Sequence, residues 1–382
     1  MARGLLLAVV WLSSTGCFSA RYLLQAAGGQ YELLHVARPI SKVQLDPKVA
    51  PRTRHLLGQV AAIKSWGQTR GLKPTKNYDR YADLHRSAAV WVVQACQPLA
   101  FNVRRWQFPI VGSVPYLGFF REAPARAYAE QLARDEGLDT AVRTASAYST
   151  LGWFRDPVLS TMISEGDEAL GDLANVILHE SVHATFYLPN QSAFNESAAS
   201  FVADGLTLEL LDETFGKGSW LAKAWAKDQR RGKESTKRLH QTYEELDALY
   251  RGDLSDAQKL IEKARILLAV QRELGFRRPL NNALLSGSRT YDSSTEGFER
   301  LSKSCESWPR LLAAFSTLKE SDFSHPQQEN FDPVLDALAR RACPPVEGGS
   351  TPALTSRAAK RLGQRACRSM AGVRRSPRGL QW

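Results

Sequence analysis

Val176-Ile-Leu-His-Glu-Ser-Val-His-Ala184 decides how the rest of this 382-residue chain is read, because His179, Glu180 and His183 form H-E-x-x-H inside a helical pattern. On a helix, positions i and i+4 share a face about one turn apart, so the two imidazoles can reach one metal ion. Apolar Leu170, Leu173, Ala174, Ile177 and Ala184 fall on one stripe beside the histidine face, which predicts the helix. Ser164 to Asp167 has the S-x-x-D form of a capping box at its start, and Pro189 puts its end before the following loop.

Zinc needs a third protein ligand. After the turn-like Tyr187-Leu-Pro-Asn-Gln191, a second helix is predicted from about Ser192 to Gly216, with Ala198, Phe201, Val202, Gly205 and Leu206 on its apolar side. Glu196 is expected in its first turn, where a carboxylate suits the helix dipole. His179, His183 and Glu196 together make the arrangement of the glutamate zincins. Three protein ligands leave a fourth position for water, whose pKa falls to about 7. Glu180, adjacent but not a ligand, is placed to act as general base and then proton donor. The chemistry so implied is hydrolysis of a peptide bond.

At the other end of the sequence, Arg3, the apolar run Leu5 to Leu12 and then Ser13-Ser-Thr-Gly-Cys17 read as an export signal over residues 1–16. Eight apolar residues are too few to span a bilayer. The small residues leading into Cys17 are similar to a bacterial lipobox, with Ser14 where such boxes usually carry Leu. Cys17 is therefore expected to carry a lipid anchor. Phe18 after it favours the outer membrane, so the expected location is the cell envelope, facing the periplasm.

Several further segments carry a family resemblance. Tyr22-x-x-Gln25, Gly29-Gln-x-x-Leu-Leu34 and Ala37-Arg-Pro-Ile40 open it. Tyr78 to Leu84, Trp106 to Gly112, Ala145 to Ser160, the H-E-x-x-H segment and Asn281 to Leu285 continue it. Together they resemble the predicted-aminopeptidase family of bacterial lipoproteins. The resemblance implies an α+β, zincin-like metallopeptidase, with a small mixed sheet over the H-E-x-x-H helix and a mostly helical C-terminal part. The expected division is a peptidase domain over 17–345, with its sheet to about 165, zinc helices over 167–215 and a helical part over 217–345.

Short runs rich in β-branched and aromatic residues, Trp91 to Val93, Phe108 to Val111 and Tyr116 to Phe120, read as strands, and Ala123 to Glu136 as a helix on them. Tyr148 to Phe154 reads as another strand. By analogy with zinc peptidases, Ser149, Thr150, Leu151 and Gly152 would align an extended peptide by main-chain hydrogen bonds; the alternative is an interior strand with aromatic core residues. The same analogy makes Tyr291 the candidate hydrogen-bond donor to the transition-state oxyanion, or else a structural turn tyrosine. No G-x-M-E-N amine-recognition motif is present, so exopeptidase specificity rests on the resemblance alone. An endopeptidase of envelope proteins, or an envelope scaffold that keeps the metal, are the other readings.

Lys217 to Leu249 and Leu254 to Leu274 predict two charged helices. The net charge of +11 is no nucleic-acid signal: Ser350 to Trp382 carries eight Arg or Lys and no acid, leaving the rest near +3. Residues 346–382 read as a basic, flexible tail. With Cys17 set aside, Cys96, Cys305, Cys343 and Cys367 allow three pairings.

Overall fold

The computed structural model describes residue 18 and residues 21–108, 112–147, 155–288 and 295–343. The export signal, Cys17, the 148–154 stretch with Ser149 to Gly152, Tyr291 and the basic tail lie outside them. Helix α1, residues 21–36, leads into β1 (Arg38–Pro39), α2 (Ile40–Gln44), α3 (Pro51–Leu57), α4 (Val60–Thr69) and β2 (Arg80–Ala82). There follow β3 (Val90–Cys96), β4 (Trp106–Phe108), β5 (Gly112–Val114), β6 (Leu117–Phe119), α5 (Glu122–Glu136), β7 (Asp139–Ala145) and β8 (Val158–Leu159). The rest is helical: α6 (Ala169–Thr185), α7 (Ser192–Phe215), α8 (Trp220–Arg251), α9 (Asp256–Leu274), α10 (Asn282–Leu285), α11 (Thr295–Cys305), α12 (Trp308–Phe315) and α13 (Asp332–Ala342). The chain is α+β, as expected.

Strand residues are divided among small sheets. A mixed one, β1-β2-β8, pairs Tyr81 with Val158 in parallel and shares a core with α6 and α7. An antiparallel one, β6-β3-β7, holds the strands expected at Trp91 and Leu117. Alternation sends Trp91, Val93, Leu117 and Phe119 to one face, against Ala125, Ala129 and Leu132 of α5. β4 and β5 form a hairpin.

The Y-x-x-Q element of α1 closes the outer edge of β6. Gly118 N donates to the Tyr22 hydroxyl, Gln25 Nε2 donates to Gly118 O, and Phe120 N donates to Gln25 Oε1. Gly29 has no room for a Cβ against the Phe120 ring, so only glycine lets α1 lie this close. The corresponding edge of β7 is partly taken by Asn281, whose Nδ2 donates to Thr140 O at 2.8 Å while its Oδ1 caps α10. Asn281 and Asn282 therefore tie elements together: Asn282 is buried, bonded to Gln97 O, Pro98 O and the Tyr250 hydroxyl.

Both helices around the H-E-x-x-H segment form, with two corrections. The first starts at Ala169 with no side-chain cap, because the Ser164 hydroxyl donates instead to Asp172 at 2.9 Å. Glu196 is the fifth residue of α7, beyond its first turn, so imidazoles and not the helix dipole hold its charge. The α8 and α9 pair runs as predicted, and Ser255 with Gln258 forms a capping box at the start of α9. Among the described residues no helix is long and apolar enough to cross a membrane. Cys305 and Cys343 are joined, fastening the end of α11 to the end of α13, and Cys96 is a buried free thiol.

Candidate metal centre

The site is built on the packing of α6 against α7. Leu173, Ala174, Ile177, Leu178 and Val182 are buried on α6, and Phe194, Ala198, Ala199, Val202, Ala203 and Leu206 on α7. Ala198, Ala199 and Ala203 are small, which lets the two backbones approach closely. Two back-bonds, Ser181 Oγ to Ile177 O and Thr185 Oγ1 to Ser181 O, satisfy hydroxyls that the apolar interface would otherwise strand. The link between the helices is clamped by Asn195, which accepts from Leu188 N and donates to Leu188 O. The next residue is Glu196.

That packing brings His179, His183 and Glu196 together. The two Nε2 atoms are 3.1 Å apart, His179 Nε2 lies 3.3 Å from Glu196 Oε2, and His183 Nε2 lies 3.5 Å from Glu196 Oε1. Tetrahedral zinc with bonds of about 2.0–2.1 Å would set its ligand atoms about 3.3 Å apart. The donor set and its spacing thus fit one small divalent cation. Burial works against charge on Glu196, but the two imidazoles outweigh it and hold its carboxyl down to about 2. His183 is likewise desolvated, yet its hydrogen bond and charge interaction with Glu196 raise its pKa.

Glu180 is half-buried and has no hydrogen-bond or ion-pair partner among the described residues. A carboxylate with no hydrogen bond or ion pair among the described residues, beside two imidazoles, is available to move a proton. Asp204, on α7, accepts from Asn175 Nδ2 at 3.1 Å and pairs with Lys233 Nζ at 3.6 Å; burial raises its pKa, while Lys233, Asn175 and the His179 charge pull it down. It acts on His179 through charge and not by a bond to an imidazole.

Sequence reasoning missed three residues near this site. Tyr78, in a left-handed conformation at φ 65°, is buried beside Glu180; burial raises its pKa well above 10, and the Glu180 and Asp156 carboxylates add to that. Tyr116 stands near Glu196: burial raises its pKa and the Glu196 charge adds to it. Arg143 lies beside Tyr116. The left-handed backbone at Tyr78 has no signature in composition, and a lone exposed Tyr between strands or a lone Arg on a strand looks like any surface residue.

Fold and site define an α+β protein whose H-E-x-x-H helix converges with a glutamate from the next helix. A family model described as "putative aminopeptidase" matches residues 21–329, and the chain belongs to that family. No curated protein and no solved structure matches it.

Proposed function

We propose that this chain is a zinc-dependent peptidase of the glutamate-zincin type with a zincin-like catalytic core, acting as an aminopeptidase on peptides in the bacterial envelope, where lipidated Cys17 tethers it to the outer membrane. What carries the reading is the convergence of His179, His183 and Glu196 to 3.1–3.5 Å beside the Glu180 carboxylate. Membership of a family described as aminopeptidase supports peptidase activity.

Zinc, when bound, supplies a Lewis acid that polarises the scissile carbonyl and acidifies water. His179, His183 and Glu196 would hold it. Glu180 takes a proton from the attacking water and delivers it to the leaving amine. The outer edge of β6 is already bonded to Tyr22 and Gln25, so a peptide cannot add itself there. Ser149 to Gly152 remains the proposed aligning strand and Tyr291 the proposed oxyanion donor.

The test is a peptide library with free and blocked N-termini, offered to the purified full chain with zinc and with a chelator. Zinc-dependent release of N-terminal residues from free peptides is expected. Cleavage of blocked peptides would replace the aminopeptidase reading by an endopeptidase, and no cleavage of any peptide would leave a metal-holding scaffold.

A further inference from the structure

Helix α9 is apolar on two sides. Its inner side, Ile266, Leu267 and Val270, is buried with Leu246 and Tyr250 of α8 and with Ala283 and Leu285 of α10. Lys263, also turned inward, donates to Asp139 of β7 and to Pro98 O, which fixes the rotation of α9 about its own axis. The outer side carries Leu260 at 46%, Ile261 at 66% and Leu268 at 46% exposed, with Ala257 and Ala264 exposed among them. A surface helix normally gives that side to charged and polar residues. Adjacent exposed apolar side chains rimmed by polar ones, here Arg265, Gln271 and Arg272, mark a surface that another protein covers.

The spacing of these residues says what fits. Ala257, Ile261, Ala264 and Leu268 recur at intervals of four, three and four, the spacing at which two helices pack side by side along a seam. Small and large residues alternate along it. When a second α9 lies antiparallel on the first, about a two-fold axis midway between Ile261 and Ala264, Ile261 faces Ala264 of the other copy and Leu268 faces its Ala257. Every large residue then meets a small one. Parallel packing in register would set Ile261 on Ile261 and Ala264 on Ala264, with crowding at one level and a gap at the next.

Charge selects the same arrangement. The first turn of α9 carries Asp256 and the last carries Arg272, neither in an ion pair among the described residues. Antiparallel packing lays the acidic start of one helix along the basic end of the other and opposes the two dipoles, whereas parallel packing stacks like on like. Beside the seam, Arg265 pairs with Glu262 at 2.7 Å within each copy. The two-fold sets the Arg265 of one copy beside the Glu262 of the other, so the four charges alternate in sign. We propose that α9 is the contact of a two-fold symmetric dimer of this chain, its occupant a second, antiparallel α9. The proposal stands apart from the peptidase reading and does not depend on it.

The test is sedimentation equilibrium of the purified full chain in a density-matched detergent, from about 1 to 100 μM. A monomer–dimer equilibrium is expected. Ile261→Glu and Leu268→Gln, both at exposed positions, should leave the circular dichroism unchanged and each raise the dimer Kd about tenfold or more. Orientation is read by disulfide trapping with the bridged peptides mapped by mass. Ala257→Cys mixed with Leu268→Cys should give a bridge between the two substituted positions, and Ala257→Cys alone should give none from that position to its copy. A monomer throughout the range, a Kd unchanged in either folded variant, no bridge between positions 257 and 268, or a bridge from 257 to 257 would each overturn the proposal. Should one variant fail to fold, the other and the trapping experiment still decide it.

Discussion

Leu188 and Asn195 hold each other by two hydrogen bonds, of 3.0 Å to the Leu188 amide and 2.8 Å to its carbonyl side, and this clamp fixes the residue that follows, Glu196. Asn195 is 2% exposed, so no water replaces it. Asn195→Ala should strand both backbone groups and destabilise the chain by about 2–4 kcal/mol, read from chemical denaturation. It should also weaken zinc binding by roughly tenfold or more, because the carboxylate loses its fixed entry angle. Undiminished zinc affinity in a folded Asn195→Ala protein would show that Glu196 is positioned by α7 alone.

Glu180 and the three convergent side chains should separate cleanly in their effects. Glu180→Gln keeps the shape and all three donors, so metal analysis should find zinc retained while kcat falls by about 10²–10⁴. His183→Ala removes a donor, and zinc should be lost with activity. If Glu180→Gln hydrolyses peptides as well as wild type, the base lies elsewhere.

The Cys305–Cys343 link closes a loop of sequence separation 38 that contains α12 and α13. Its removal, by Cys305→Ser with Cys343→Ser, should lower stability by about 2–4 kcal/mol. The site is carried by α6 and α7, so zinc content should stay unchanged. Thermal unfolding with metal analysis checks both halves of that expectation.

What was legible in the sequence follows from how each feature is encoded. The helix bearing His179 and the helix bearing Glu196 announce themselves by apolar residues at helical spacing, and the Ser255 and Gln258 cap by a local motif. Sheet organisation does not: β8 has two residues, Val158 and Leu159, and its parallel partner Tyr81 is 77 positions away, so no alternation marks the pairing. The pairing of Cys305 with Cys343 was one of several combinations that counting allows. Arg143 needed the register itself, because only its pairing with Val92 shows which face of the sheet it stands on. The roles of Asn281 and Asn282 are not legible for another reason, since an asparagine that caps and one that lines a cleft look alike until its partners are known.

The expected cap of α6 at Ser164 to Asp167 gives way to a bond between Ser164 and Asp172, and that exchange leaves a titratable mark. Burial pushes the Asp172 carboxyl from 3.8 up to about 6, and the Glu168 and Asp228 charges push the same way against the Ser164 hydrogen bond. A carboxyl whose pKa is higher in the folded chain binds its proton more tightly there, so its contribution to stability is fully present below about pH 3.8 and is lost as pH rises through about 6. Asp172→Asn keeps an acceptor for the Ser164 hydroxyl without the charge. It should be more stable than wild type at pH 7.5, by about 1–2 kcal/mol once partial exposure is discounted, with the difference shrinking toward pH 4. Denaturant midpoints for both proteins across that range decide it: a difference independent of pH would mean that the effect is packing, and a wild-type advantage at pH 7.5 would mean that the Asp172 charge stabilises the start of α6.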